Sequence, residues 1–329
     1  MRVERVGLVA DRGVERAGLL DHLLGEVRDV ELVPCGLVDE DPGLDDAETI
    51  AERAISQGVE AVVIVGGGSA LCAGKAAAMR LRNPAPLLQY AGRDRLPVRP
   101  APSIAVPTTA GSGSEVSEVV VLHDPQIAGH VAIRGRGCGP SVALLDGELL
   151  ATLPRRPMIL AALDALSHCY EALWSNGATS FTDALALTAA SSIRASLPGA
   201  LDGDAEARQA LIEASAAANL ACGNSGLAVV HALTSASAVR LPHGYQNGVL
   251  LPHALELNRA TVSEPAAAEM AHLPELYEAI GFVPRFAPGE LSAEDAGTMV
   301  AVALENPFLG NNRRPLAEAD LRSLMAATA

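Results

Sequence analysis

The run EAVVIVGGGSALCAGK, residues 60–75, constrains the fold more than any other stretch. Ala61–Val65 is apolar throughout and mostly β-branched, so it has no face suited to water. Such a strand belongs in a parallel sheet covered by helices on both sides. Three glycines and a serine then lead into a helix-forming segment. The chain must turn tightly there, and the first N–H groups of the helix are offered to whatever lies beyond the strand end. The surrounding sequence follows the same pattern. RVGLVA and VELVPCGLV read as strands; GVERAGLLDHLLGEV and LDDAETIAERAISQG read as helices. SIAVP reads as a further strand running into the small-residue loop TTAGSGSE. Alternation of this kind predicts an α/β domain with a mostly parallel sheet.

The character changes near LLATLPRRPM, residues 149–158. Strand-like runs cease, and helical spacing covers 157–175, 180–197, 204–222, 226–237 and 246–259. The expected organisation is an α/β dinucleotide-binding domain over residues 1–153 and an all-α domain over 154–329. Residues 282–293 read as loop.

Composition excludes several classes of function. The chain has 329 residues, of which 49% are hydrophobic, and a formal net charge of −15. A surface this acidic repels phosphate backbones, so nucleic acid is not an expected partner. The five cysteines, Cys35, Cys72, Cys138, Cys169 and Cys222, form no CxxC pair, which fits reduced thiols in a cytoplasmic protein. MRVERVGLVAD carries charge at positions 2, 4 and 5 and too short an apolar run for a signal peptide. No apolar run reaches transmembrane length, so no membrane association is expected.

Four features carry chemistry. Gly66, Gly67, Gly68 and Ser69 form a loop that a phosphate can approach closely, although the spacing is neither GxGxxG nor that of a P-loop. Thr108, Thr109, Ser112 and Ser114 put hydroxyls and amides at a second strand end. Asp11, just after the first strand, suits the hydroxyls of an adenosine ribose and repels a 2′-phosphate; a solvated turn aspartate fits it equally. Asp164 and His168 lie one helical turn apart in LAALDALSHCYEA. With His231 and His243 they make one carboxylate and three imidazoles, a set suited to Fe²⁺ or Zn²⁺. Taken singly, each histidine fits a core or surface role as well, and His22, His123, His253 and His272 are read that way.

These motifs resemble, in order, those of the iron-containing (group III) alcohol dehydrogenases. GGGSALCAGK is similar to the family's GGGSxxDxAK, VPTTAGSGSEVS to its PTTAGTGSE, and ALDALSHCYEALWS to its GxDAxxHxxEAxxS. HGYQNGVLLPHALELN is similar to its HGxxNAxLLPHVxxFN, and NNRRPLAEADLRSLM to its C-terminal NPRP segment. The resemblance spans about residues 6–325. It implies a Rossmann-like parallel-sheet domain followed by an all-α domain, in the architecture shared with dehydroquinate synthase. It implies metal ligands at Asp164, His168, His231 and His243, and a pyrophosphate loop at Gly66, Gly67, Gly68 and Ser69. A nicotinamide-side loop falls at Thr108, Thr109 and Ser112, and a ribose acid at Asp11. The chain departs from the pattern at three motif residues, and the segment between His231 and His243 is about two residues shorter than the family's. Cys72 replaces the loop aspartate, His130 stands where a lysine near the nicotinamide ribose is usual, and Ser235 replaces a histidine associated with proton relay.

The expected function is therefore a metal-dependent, NAD(P)-linked alcohol dehydrogenase or aldehyde or ketone reductase, using NAD(H) in preference to NADP(H). The three departures point to a specialised substrate, either a secondary metabolite or a modified peptide terminus. Enzymes like maleylacetate reductase or phosphonoacetaldehyde reductase, and a non-catalytic cofactor-binding relative, are the alternatives. A lyase of the dehydroquinate-synthase type would need a basic pocket, and Lys75 is the only lysine in the chain. A monomer and a homodimer both remain open.

Overall fold

Two strands with apolar interiors lie side by side. In the computed structural model, which describes residues 3–25, 27–124 and 130–328, β1 (Arg5–Asp11) runs parallel to β3 (Ala61–Gly66), with Val6 opposite Ala61 and Ala10 opposite Val65. Met1 and Arg2, at the start of the stretch read for a signal peptide, lie outside the described residues. The chain divides into two compact units, Met1–Thr109 with Ser114–Leu153, and Ala110–Gly113 with Pro154–Ala329.

The first unit is the α/β one. After β1 come α1 (Arg12–Arg16) and α2 (Leu19–Gly25), then β2 (Glu31–Val38), α3 (Leu44–Ser56), β3 and α4 (Gly68–Arg80). β4 (Gly92–Arg93), β5 (Ser103–Pro107), β6 (Val119–His123), β7 (His130–Arg134) and β8 (Val142–Ala143) follow. The main sheet has the order β2-β1-β3-β5-β8 and is parallel throughout. The chain moves from β1 to one side for β2 and returns to the other side for β3. Ligands of open parallel sheets bind beyond the carboxyl ends of the strands at such a reversal. The sequence reads GVERAGLLDHLLGEV as one helix; the structure breaks it at Ala17 and Gly18 into α1 and α2. A second sheet, β4-β7-β6, contains an antiparallel hairpin that the strand–helix alternation does not reveal.

Helix α4 presses unusually close to the sheet. A Cβ on Gly74 would sit 2.6 Å from both Cγ1 and Cγ2 of Ile64 on β3, and Ala70, Leu71, Ala73 and Ala77 are fully buried around it. Small residues on this helix let its axis approach the strand, and the close approach places the first turn of α4 directly beyond the end of β3.

The second unit is helical. It comprises α5 (Arg155–Leu173), α6 (Ser180–Leu201), α7 (Ala205–Ser225), α8 (Val229–Leu233) and α9 (His243–Asn258). Then come α10 (Glu264–Met270), α11 (Leu273–Ile280), α12 (Ala293–Glu305), α13 (Pro307–Asn311) and α14 (Glu318–Ala327). Every residue from Ala162 to Leu173 is buried, so α5 is a central helix covered on all sides. Two boundaries differ from the periodic reading. The expected helix 226–237 shortens to α8, and α9 begins at His243 rather than at 246, with Pro242 capping it. Among the described residues no helix is long and apolar enough to cross a membrane, and all five cysteines are free thiols.

Overpacking a tight core contact costs about 1–3 kcal/mol. Gly74→Val is therefore expected to lower the unfolding free energy by about 2–3 kcal/mol in denaturant titration. Adding Ile64→Ala makes room and should recover part of that loss; a Gly74→Val protein of unchanged stability contradicts the close approach.

Candidate metal centre and cofactor loops

Asp164, His168 and Glu171 occupy positions i, i+4 and i+7 of α5 and so share one face of a helix that is otherwise apolar. α8 contributes His231, and the first two turns of α9 contribute His243 and Asn247. α9 can start this close to α5 because residue 244 is glycine: a Cβ there would fall 2.1 Å from the Leu160 carbonyl oxygen.

The three imidazoles converge on a single atom. Nε2 of His168 lies 3.7 Å, Nε2 of His231 3.5 Å and Nε2 of His243 3.7 Å from Oδ1 of Asp164. The His168 and His231 rings stack with centroids 4.8 Å apart, and the His243 ring meets His231 edge-on at 5.2 Å. These separations exceed hydrogen-bond length. The three separations are near the edge of about 3.4 Å of a tetrahedron whose bonds are about 2.1 Å; the ligand atoms of Asp164, His231 and His243 all lie within 4.8 Å of one another, a group that does not include His168. Three nitrogens and one carboxylate oxygen are also the donor set for a borderline divalent ion. The residues fit such an ion.

Two further side chains set the geometry. Oε2 of Glu171 lies 2.7 Å from Nδ1 of His231, and its Oε1 accepts the backbone N–H groups of Val230 at 2.6 Å and His231 at 3.3 Å. With Nδ1–H donated to Glu171, Nε2 is the ring atom of His231 that faces the cluster. Nδ2 of Asn247 donates to Oδ1 of Asp164 at 2.7 Å. Glu171 and Asn247 were not singled out from the sequence. The available signal was that both are fixed letters of the motifs matched above, three residues after His168 and four after His243.

The electrostatics favour a cation. Burial opposes ionisation of Asp164, but the His168, His231 and His243 rings hold it well below the usual carboxylate range. Burial also lowers His231, yet Glu171 and Asp164 outweigh it and lift the imidazole to about 9. At His168 burial wins and pushes the ring downward despite Asp164. His243 is the most accessible of the four, with its side chain 48% exposed.

In the α/β unit, Asp11, Gly66–Ser69 and Thr108–Thr109 lie at the carboxyl ends of the neighbouring strands β1, β3 and β5. Gly67 caps α4, and a Cβ on it would lie 3.3 Å from the Thr109 side chain, so the two loops touch. Oδ1 of Asp11 accepts the Gly13 N–H at 2.6 Å. Ser69 Oγ accepts the Asp41 N–H at 3.1 Å, and Asp41 Oδ1 is 3.6 Å from Nε2 of His130. That chain of contacts links His130 to the glycine loop. Ser112 belongs to the helical unit, where its carbonyl accepts from Asn219 at 2.8 Å. Ser235 Oγ donates to the His231 carbonyl at 2.6 Å, so its proton is engaged by the backbone.

The loop beyond Thr109 returns to α4 through Lys75. Its ammonium is buried and donates to the carbonyls of Ser114, Ser117 and Val119 at 2.9, 3.2 and 2.7 Å. Cys72 Sγ lies 3.7 Å from Ser114 Oγ on the same side. Burial lifts the neighbouring Glu115 carboxyl to about 7, against a smaller opposing pull from Lys75.

Glutamine at position 171 keeps the shape but loses the charge behind His231, and loss of such a partner costs about 10–100-fold in metal affinity. Glu171→Gln is expected to weaken Fe²⁺ or Zn²⁺ by that factor in competition with a chelator, with the fold intact by circular dichroism. For Glu115, the folded state holds the extra proton between about 4.5 and about 7. Stability from this group is fully present below about 4.5, is lost as pH rises from there to about 7, by about 3 kcal/mol in all, and is level above. Glu115→Gln should flatten that part of the stability–pH curve; an unchanged slope contradicts the burial of a neutral acid.

The sequence profile described as iron-containing alcohol dehydrogenase matches residues 1–147, and that of the Fe-containing alcohol dehydrogenase C-terminal domain matches residues 158–270. The chain is 34% identical over 292 residues to the probable alcohol dehydrogenase EutG of Salmonella typhimurium, covering 82% of this chain and 72% of that protein. The crystal structure of a 1,3-propanediol oxidoreductase superposes with a TM-score of 0.91 at 27% identity, over 99% of this chain and 92% of the other. Sulfoacetaldehyde reductase from Bifidobacterium kashiwanohense, in complex with NAD⁺, superposes with a TM-score of 0.88 at 26% identity, over 99% and 91% of the two chains. A parallel-sheet unit with a glycine loop at its switch point, a helical unit with three imidazoles around a carboxylate, and similarity across both place the chain in the iron-containing alcohol dehydrogenase family, as an oxidoreductase acting on CH–OH groups.

Proposed function

We propose that the chain is a metal-dependent, NAD(H)-linked alcohol dehydrogenase that also serves as an aldehyde or ketone reductase. In this reading Asp164, His168, His231 and His243 hold Fe²⁺ or Zn²⁺. The observation that supports it most is the convergence of three Nε2 atoms within 3.7 Å of one carboxylate oxygen. Such an ion, when bound, acts as a Lewis acid toward the oxygen of an alcohol or carbonyl.

The chain's own residues do the remaining work. Glu171 keeps the Nδ1 proton of His231 and so leaves Nε2 available. Asn247 holds the Asp164 carboxylate in place through its amide N–H. In the α/β unit, the N–H groups that open α4 at Gly67, Gly68 and Ser69 suit the pyrophosphate of a dinucleotide. Thr108, Thr109 and Ser112 are assigned to the nicotinamide side, with His130 in the place of a lysine. Asp11 is assigned to the adenosine ribose, where its charge disfavours a 2′-phosphate and hence NADP(H). The reaction moves a hydride between the carbinol carbon of the substrate and C4 of the nicotinamide ring. A specialised substrate, a secondary metabolite or a modified peptide terminus, is proposed from the departures at Cys72, His130 and Ser235. The likeness to a sulfoacetaldehyde reductase adds short anionic aldehydes to the candidates.

The test is NADH oxidation by metal-free enzyme, its metal content verified, against a panel of aldehydes and ketones. Activity should be absent, return with Fe²⁺ or Zn²⁺, and fall at least a hundredfold in Asp164→Asn. Asp11→Ser should raise NADPH use relative to NADH. Full activity in the metal-free sample overturns the metal assignment, and a clear preference of the unaltered enzyme for NADPH overturns the role of Asp11.

A further inference from the structure

We propose that Asp41, His123 and His130 form a second divalent-metal site, on the α/β unit and separate from the Asp164 cluster. One ligand atom of each lies within 4.8 Å of the others, in a set of two imidazoles and one carboxylate. This is the ligand class of a borderline ion such as Zn²⁺ with an open position left for water.

The backbone explains why the three meet. His123 ends β6 and His130 begins β7, and the two residues are directly opposite in the antiparallel register. The His123 N–H points away from β7 and donates to the Pro42 carbonyl at 3.0 Å. The pair is therefore of the non-hydrogen-bonded kind, where Cα atoms are about 4.5 Å apart and side chains on the same face are closest. The rings lie edge to face with centroids 6.1 Å apart. The same bond to Pro42 ties the hairpin to the segment carrying Asp41, and the bridge between Gly43 and His123 continues it. Asp41 is held from its other side by the bond from its N–H to Ser69 Oγ. Its Oδ1 then stands 3.6 Å from Nε2 of His130, too long for a good hydrogen bond and suited to two ligands of one ion.

The site is reachable from solvent: the His130 side chain is 27% exposed and that of Asp41 46%. Among the described residues, the buried Nδ1 of His123 has no hydrogen-bond partner. The two histidines are held by backbone pairing, and the Asp41 backbone by its bond to Ser69 Oγ. His130 is also the residue assigned to the nicotinamide side, so the two readings share it; the test reads metal binding without cofactor, and its outcome does not depend on hydride transfer.

The experiment is equilibrium dialysis of the full-length, metal-stripped protein against Zn²⁺, with bound metal counted by mass spectrometry. The wild type should take up two equivalents. His130→Gln and Asp41→Asn should each weaken the second equivalent by about tenfold or more and leave the first. Asp164→Asn should do the reverse, losing the tight equivalent and keeping this one, which distinguishes failure of one site from failure of the other. A single equivalent in the wild type, or a second equivalent unaffected in both His130→Gln and Asp41→Asn, overturns the proposal.

Discussion

The structure of the helical unit turns on one buried charge. Asp164 is 8% exposed in the middle of a helix whose every residue from 162 to 173 is buried. Removing a carboxylate from water costs several kcal/mol unless partners compensate. His168, His231, His243 and Asn247 all turn toward it, and they come from three different helices. Much of the local packing serves this convergence: α8 is brought to α5 by Glu171, and α9 starts at His243 with glycine at its closest approach to α5.

The four side chains differ in how firmly they are held. His231 is fixed through Nδ1 by a fully buried glutamate that also binds two backbone N–H groups, so its position is tied to the start of α8. His168 is fixed by the helix that also carries Asp164. His243 is half exposed, at the first turn of α9. Three of the four are therefore held in the interior, and one is accessible. The stacked His168 and His231 rings lie beside the Asp164 and Glu171 carboxylates.

Much of this was legible in the sequence, and the reasons are physical. The apolar run of β3 and its glycines gave the parallel sheet and the loop at its end, because a strand without a polar face has few places to lie. The four-residue spacing of Asp164 and His168 put both on one face, because the helical period allows nothing else. The partners in α8 and α9 came through the family resemblance, since spacing within one helix says nothing about which other helix packs on it. Glu171 and Asn247 were missed: a buried Glu and Asn look like ordinary helix residues until their partners appear. The shared face of His123 and His130 was hidden for the same reason. Cross-strand register follows from the hairpin, and VVVLHDPQIAGHVAIR has no NG or DG turn signal to announce one. Residues 125–129 of that stretch lie outside the described part of the chain.

The central claim is that Asp164, His168, His231 and His243 close around one ion. Anomalous diffraction from crystals grown with Fe²⁺ or Zn²⁺ tests it directly, because it locates the ion rather than its effects. The account predicts a peak bonded at about 2.0–2.2 Å to Oδ1 of Asp164 and to Nε2 of all three histidines. A metal-loaded crystal with no peak at that point, or with a peak bound by fewer than three of these residues, would contradict it.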